Sequence, residues 1–116
     1  MNDDDYQLHL RVNRIVPGHK FGDCQPLTSL PVIDLREIEG RWASIRVFVK
    51  WSTEADGIAE VYVDDVLRVT YSGPTLIESL TGRNHFDFGI YLADTRDINS
   101  AKPATLYYRN VKRRLR

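Results

Sequence analysis

The sequence predicts an all-β fold, an antiparallel β-sandwich of about six to seven strands in one domain, residues 1–116. Several runs alternate apolar and polar residues, which is the spacing of a strand with one buried face. Turn-forming residues separate these runs, and only one short segment carries helix start and stop signals. Many short strands with almost no helix are typical of a sandwich.

The composition fits a globular domain and excludes several partners. A formal net charge of zero, from 16 basic and 16 acidic residues, gives no general attraction to nucleic acid or to an anionic membrane. We therefore expect neither partner. Cys24 lies among turn formers and predicts an inert thiol in a loop, and it has no metal-ligand spacing to the histidines. We expect no metal and no cofactor.

Two strands stand out by their alternation. The first is expected over residues 6–12 and another over residues 43–51. Their apolar faces consist of Leu8, Leu10 and Val12 in the first strand, and of Ile45, Val47, Val49 and Trp51 in the other. The opposite face of the second strand carries Arg46, Phe48 and Lys50. We interpret Trp42 and Trp51 as core anchors.

The segment that follows predicts a hairpin. Residues 58–63 and 66–71 alternate on either side of Asp64-Asp65, a residue pair that tolerates the left-handed backbone of a tight turn. Further strands are expected over residues 85–92 and 104–111. A helical turn is expected to start at Thr75, which fits a capping box, and to end by Gly82.

A long stretch between the first strand and Arg41 reads as irregular. It contains three prolines and several glycines, which interrupt any alternation. Loops of that length are functional, mobile or conceal a short element, and residues 32–35 are the candidate for a short additional strand.

An ordered series of motifs resembles a known family. Gly40-Arg41-Trp42 is followed by Lys50-Trp51-Ser52, then by Asp56-Gly57, and then by Tyr71-Ser72-Gly73-Pro74-Thr75. This order resembles the C-terminal half of heparin-lyase-like and glucuronan-lyase-like polysaccharide lyases. The resemblance implies a β-jelly roll of the concanavalin A type, here truncated, because the strands that form the other half of the groove are not matched. Relatives in that family are typically secreted.

The same resemblance suggests candidate catalytic residues. Residues 85–91, His-Phe-Asp-Phe-Gly-Ile-Tyr, are similar to a family element that reads Tyr-Phe-Lys-x-Gly-x-Tyr. Tyr91 then matches the catalytic tyrosine, and His85 shares its face by alternation. Asp87 stands where the family has a lysine, which reverses the charge of a residue that would face an anionic substrate.

The residues of the strand at 43–51 suggest a binding face. Arg46 and Lys50 could hold the carboxylates of a uronate, and Arg does so through two parallel hydrogen bonds. Phe48 between them could stack on a sugar, although a subunit interface would also present such a residue. The alternative, which the residues themselves favour, is a solvated sheet face with a structural tyrosine.

Three functions follow from these observations. The first is a non-catalytic domain of polysaccharide-lyase ancestry that either binds acidic polysaccharide through one sheet face or merely keeps the fold. The second is an active lyase, which eliminates the 4-linked sugar after removing the proton at C5 of a uronate and is completed by oligomerisation. The third is an oligomeric interaction domain. The half jelly roll that the resemblance implies would expose sheet edges and one apolar face, which predicts a homodimer or a higher oligomer.

The two ends of the sequence differ in charge. Asp3 to Asp5 are acidic and predict a frayed end, residues 1–5, rather than a calcium site. Arg109, Lys112, Arg113, Arg114 and Arg116 form a basic segment. A solubilising end, frayed over 112–116, is the favoured interpretation there, and contact with a polyanion is the alternative. The sequence as written shows no signal peptide, which predicts a cytoplasmic location.

Overall fold

The computed structural model describes residues 6–15, 24–76 and 105–115. Side chains are described for residues 6–12, 28–76 and 105–115. Contacts divide the chain into two compact units, Met1–Gly82 and Arg83–Arg116. The first unit contains five strands among the described residues: β1 Gln7–Ile15, β2 Cys24–Asp34, β3 Ile45–Lys50, β4 Ile58–Val63 and β5 Val66–Ser72. A 3₁₀ turn, Leu35–Glu37, follows β2. The predicted all-β antiparallel fold is confirmed, and a single domain stays a prediction.

The strands form two antiparallel sheets. β1 pairs with β2, and the second sheet has the order β3-β4-β5. The predicted hairpin is confirmed, since Val63 lies opposite Val66 and β4 pairs with β5 along its whole length. Asp64 and Asp65 both have left-handed backbone, with φ of 49° and 65°. Two such residues define a turn whose twist matches that of the flanking strands.

The core lies between the two sheets of this unit. Val32 and Ile33 of β2 cluster with Val61 and Val63 of β4, and Leu8, Leu10, Ile38 and Val69 pack against them. Val63 is the most enclosed, with 1% of its surface exposed. Two consecutive residues of β2 are buried because the register shifts at this point, from Leu8 opposite Ile33 to His9 opposite Pro31. A bulge of this kind breaks the strict alternation of faces.

The long irregular stretch was predicted wrongly in part, because residues 24–34 form a regular strand. Cys24 accordingly lies in β2 and not in a loop. The two prolines of β2 adjoin the two register shifts, with Pro31 opposite His9 and Pro26 opposite Asn13. Proline lacks the N–H that a ladder needs, and bulges are where a strand tolerates it. The short strand expected at residues 32–35 is the end of this longer one.

The interpretation of Trp42 and Trp51 as core anchors is wrong, since they are 51% and 48% exposed. Ile45 and Val47 of β3 are also about half exposed, at 50% and 54%. The pairing of β3 with β4 places both on the same face as the core valines. Within the part of the chain that the structure describes, the core cluster takes residues of β4 and β5 from this sheet and none of β3, so the inward face of β3 is only partly covered.

The described part of the second unit is irregular. Residues 105–115 contain no strand and are exposed throughout, so the strand predicted over 104–111 is not formed there. Asn110 has a left-handed backbone, with φ of 55°, which bends the segment. The strand predicted over 85–92 and most of the predicted helical turn lie outside the described residues, as do residues 1–5. Among the residues described, no helix is long and apolar enough to span a membrane.

Candidate functional site

The outer face of the sheet β3-β4-β5 brings three predicted site residues together. Arg46, Phe48 and Lys50 of β3 lie opposite Tyr62, Glu60 and Ile58 of β4. Directly opposed residues of an antiparallel pair point to the same side, so these six side chains form one surface. We call it the outer face, because the core valines Val61 and Val63 alternate with its β4 residues.

Arg46 is the best-positioned cation of the outer face. Its guanidinium lies over the ring of Tyr62, with 4.3 Å from Cζ to the ring centroid. The hydroxyl of Tyr62 donates a hydrogen bond to Oε2 of Glu60 at 3.3 Å. A guanidinium stacked on an aromatic ring is attracted to the ring face and keeps the N–H groups on its rim for other acceptors. The stack therefore holds Arg46 ready to bind a carboxylate.

Among the described residues, the carboxylate partner of Arg46 is a weak one. Its terminal nitrogen is 4.0 Å from Oδ1 of Asp65, whose side chain is 89% exposed. An ion pair at that distance between exposed side chains contributes little, because water and salt screen it. The side chain of Arg46 is 52% exposed. An incoming carboxylate could therefore replace Asp65 at small cost.

Lys50 is more strongly engaged. Its Nζ lies 3.1 Å from Oδ2 of Asp56. The hydroxyl of Ser52 donates to the other oxygen of the same carboxylate. The hydrogen bond from Ser52, and then Lys50, lowers the pKa of Asp56 below its ordinary value. Lys50 thus carries a compensated charge, and Arg46 is the outer-face cation with the weaker carboxylate contact.

Three of the six predicted site residues lie outside the described part of the chain. They are Asp87, His85 and Tyr91. Their assignment as substrate-binding and catalytic residues stays a prediction. Conversely, Tyr62 and Glu60 were not among the predicted site residues. Alternation along β4 places Tyr62 and Glu60 on one face. It does not show which residue of β3 lies opposite each of them, and it is this register that brings Tyr62 next to Arg46.

The motif residues Ser52 and Thr75 fasten the end of β3 to the end of β5. The hydroxyl of Thr75 accepts a hydrogen bond from the Ser52 amide at 2.8 Å and donates one to the Lys50 carbonyl at 2.7 Å. The amides of Thr75 and Leu76 both donate to the Ser52 carbonyl. Thr75 was expected to cap a helical turn; in the structure its hydroxyl bonds across to Lys50 and Ser52, and most of the predicted turn lies outside the described residues.

The glycines of the same motifs allow two backbones to approach closely. The amide of Gly73 donates to the Gly57 carbonyl at 2.9 Å. A Cβ at position 57 would lie 2.1 Å from the Gly73 carbonyl oxygen, which is far inside contact distance. Gly73 itself has φ of 144°, a backbone that favours glycine. Both glycines are therefore required by backbone geometry.

Asp64 connects the hairpin tip to the segment before β3. Its carboxylate accepts hydrogen bonds from the Ser44 amide at 3.0 Å and from the Arg41 guanidinium at 2.9 Å. Its own amide donates to the Ser44 carbonyl. The bond from Ser44, and then the one from Arg41, lowers the pKa of Asp64 below its ordinary value of 3.8.

The lowered pKa of Asp64 predicts an acid-sensitive contribution to stability. A carboxyl with a lower pKa in the folded state stabilises the fold fully above its unfolded pKa, and this contribution disappears as the pH falls through the folded value. We expect Asp64→Asn to be less stable than wild type at neutral pH. The difference should shrink once the pH falls below about 3.8, the ordinary value of the carboxyl. Urea unfolding at a series of pH values measures it.

Asp65→Asn is the matched control for this experiment. Asp65 occupies the same turn with a similar left-handed backbone, and asparagine tolerates that backbone equally. Among the described residues, the ion-pair contact of its carboxylate is the one with Arg46 at 4.0 Å. A pH-dependent difference of the same size for Asp65→Asn would contradict a specific role for the Asp64 bonds.

The fold and the outer face together define the class of this protein: a small antiparallel β-sandwich with cationic and aromatic side chains on one sheet surface. A family model described as polysaccharide lyase matches residues 5–112. That range covers most of the chain, and the protein belongs to the polysaccharide lyase family. No curated protein and no solved structure matches it.

The motifs behind the resemblance have structural roles in the described residues. Arg41 binds the hairpin tip, Gly57 admits a close backbone, and Thr75 ties two strand ends. Residues that a fold requires identify that fold whether or not the chemistry persists. Membership in the family is therefore well supported by these motifs, whereas the activity must be argued from the site.

Proposed function

We propose that this protein binds acidic polysaccharide through its outer face and that it is a non-catalytic domain of polysaccharide-lyase ancestry. The observation that carries the proposal is the stack of Arg46 on Tyr62, beside Phe48 and Lys50 on one sheet surface. A uronate offers a carboxylate for the guanidinium and an apolar ring face for an aromatic side chain. The outer face offers both partners within one strand pair.

The spacing along β3 fits a chain of sugars better than a single small ligand. Arg46 and Lys50 are four residues apart on one strand, which corresponds to roughly 13 Å at about 3.3 Å per residue. Phe48 lies between them on the same face. An extended chain that follows β3 would meet a cation, an aromatic ring and a second cation in order.

We expect Arg46→Ala to weaken binding of alginate, glucuronan or heparin by roughly tenfold or more, since a carboxylate bond to a charged donor contributes about 1.5–3 kcal/mol. Arg46→Lys should recover only part of the loss, because lysine keeps the charge but not the planar pair of donors. Affinity electrophoresis or calorimetry with each polysaccharide measures both variants.

Arg11→Ala is the control for the loss of one positive charge. Arg11 is an exposed cation of β1, which belongs to the other sheet. The proposal predicts nearly wild-type binding for Arg11→Ala. Equal losses for Arg11→Ala and Arg46→Ala would mean that net charge alone governs binding. That result would contradict the proposal that the outer face is the binding site.

Catalysis is decided by a separate measurement. Elimination from a uronate leaves a carbon–carbon double bond next to the carboxylate, and this product absorbs ultraviolet light. Incubating the protein with alginate, glucuronan, heparin and pectate at enzyme concentrations comparable to the substrate should give no absorbance change. A steady rise would instead establish an active lyase and overturn the non-catalytic part of the proposal.

We also propose the finer assignment to the heparin-lyase-like and glucuronan-lyase-like group, with a truncated jelly roll. Its support is the order of the motifs from Gly40 to Thr75, and the described structure accounts for several of them as turns and strand ties. The homodimer or higher oligomer is likewise a proposal, supported by the half-exposed apolar side chains of β3. Light scattering that shows a monomer at micromolar concentration would argue against it.

A further inference from the structure

Basic residues are concentrated in the last part of the sequence. Residues 98–116 contain six Lys and Arg residues and no Asp or Glu, so residues 1–97 contain ten basic and sixteen acidic residues. The zero net charge of the chain is therefore the sum of a charge of +6 in residues 98–116 and a charge of −6 in residues 1–97. Four of the cations lie within residues 109–114, and we call this range the basic segment.

The basic segment is exposed along its whole length. Residues 105–115 are irregular and solvent-accessible, and Asn110 bends the backbone between Arg109 and Lys112. Tyr107, just before the segment, is 79% exposed. No ion pair to Lys112, Arg113 or Arg114 is present among the described residues. An exposed run of cations beside an exposed aromatic ring is suited to a flexible polyanion.

We infer that the basic segment, together with Tyr107, is a second binding surface for an anionic polysaccharide. The inference rests on the proposed function for the class of ligand, but it does not depend on the outer face. Cations would bind carboxylates along the sugar chain, and the ring of Tyr107 would contact a sugar face. Binding through several exposed cations is expected to be strongly salt-dependent.

The charge distribution favours a polysaccharide over nucleic acid. Residues 1–97 carry a net charge of six negative units, and these repel a dense polyanion more strongly than a sparse one. Duplex DNA carries about one charge per 1.7 Å, whereas a polyuronate carries one carboxylate per sugar. The family to which the chain belongs acts on polysaccharides by its description. We therefore take nucleic acid as the competing outcome of the test.

The test compares two variants with equal loss of charge in the full chain. Arg113→Gln/Arg114→Gln removes two cations of the basic segment. Arg11→Gln/Arg14→Gln removes two cations of β1, which belongs to the other sheet. Binding of heparin, alginate and a duplex oligonucleotide is measured by fluorescence anisotropy over a series of salt concentrations, with neutral dextran as a blank.

We expect Arg113→Gln/Arg114→Gln to weaken heparin and alginate binding by roughly three- to tenfold. The slope of log K against log salt should become shallower by about 1.4, at about 0.7 per lost contact. Arg11→Gln/Arg14→Gln should leave both quantities close to wild type. Equal effects of the two variants, or oligonucleotide binding that is tighter than polysaccharide binding, would overturn the inference.

Arg46→Ala separates this inference from the proposed function. If Arg46→Ala loses binding and Arg113→Gln/Arg114→Gln binds like wild type, the basic segment is not a binding surface and the outer face is the site. The reverse pattern would refute the outer face and leave the basic segment. No binding of any polysaccharide by wild type would refute both.

Discussion

Gly57→Ala is expected to destabilise the protein by about 3 kcal/mol or more, which lowers the melting temperature by roughly 10 °C for a chain of this size. The added Cβ would lie 2.1 Å from the Gly73 carbonyl oxygen and 3.0 Å from the Thr75 hydroxyl oxygen. The first of these atoms belongs to the backbone, so no side-chain rotation relieves the clash. The backbones of the two strand ends must separate.

Separation of the strands would also break bonds next to the glycine. The Gly73 amide donates to the Gly57 carbonyl, and the Thr75 hydroxyl that bonds Ser52 and Lys50 lies beside the same point. The clash therefore disturbs hydrogen bonds that close the end of the sheet. Urea unfolding followed by tryptophan fluorescence gives the free energy of unfolding directly.

Gly40→Ala is the matched control. Gly40 has φ of 74°, and a Cβ there meets no atom within 4 Å. Its substitution has only the cost of a left-handed backbone for alanine, about 1 kcal/mol. The prediction thus separates a steric cost from a conformational one. A loss in Gly57→Ala no larger than that in Gly40→Ala would show that the close approach of the two backbones is absent.

The hairpin was predictable because local signals agree with one another. Alternation from Ile58 to Tyr71 defines two strands, and Asp64 and Asp65 supply the turn, so the observed strands Ile58–Val63 and Val66–Ser72 differ from the prediction by one residue. Strand β2 was not predictable in the same way. Its prolines read as breaks, and only the register with β1 shows that they adjoin bulges.

The candidate site shows the same division. Alternation alone places Arg46, Phe48 and Lys50 on one face, and the pairing of β3 with β4 agrees. The contact between Arg46 and Tyr62 depends on which residue of β4 lies opposite, and this register is set by tertiary structure. The prediction that Trp42 and Trp51 are buried was wrong for a related reason. The hydrophobicity of a residue does not show whether another element covers the face on which it lies.

Thr75→Val is expected to lower the free energy of unfolding by about 2 kcal/mol, although valine has nearly the shape of threonine. The hydroxyl of Thr75 serves the Ser52 amide and the Lys50 carbonyl at once, at 2.8 Å and 2.7 Å. Without it, the Ser52 amide loses its partner at a partly buried position, where an unsatisfied polar group costs about 1–3 kcal/mol, and the more exposed Lys50 carbonyl loses a bond that water can replace. Urea unfolding measures the loss.

Two further variants show whether the hydroxyl itself is responsible. Thr75→Ser keeps the hydroxyl and removes only a methyl group, so it should stay within about 1 kcal/mol of wild type. Thr70→Val makes the same chemical change on an exposed position of β5 and should be within about 0.5 kcal/mol. Similar losses in Thr75→Val and Thr75→Ser would assign the effect to packing and contradict the hydrogen-bond explanation.

Amide hydrogen exchange at Ser52 adds a local readout. The Ser52 amide donates to the Thr75 hydroxyl, so its exchange should accelerate in Thr75→Val and stay slow in Thr75→Ser. Because Ser52 follows the end of β3, this amide reports how firmly the strand that carries Arg46 is held. If exchange accelerates and polysaccharide affinity falls together in Thr75→Val, the tie at Thr75 supports the geometry of the outer face as well as the stability of the sheet.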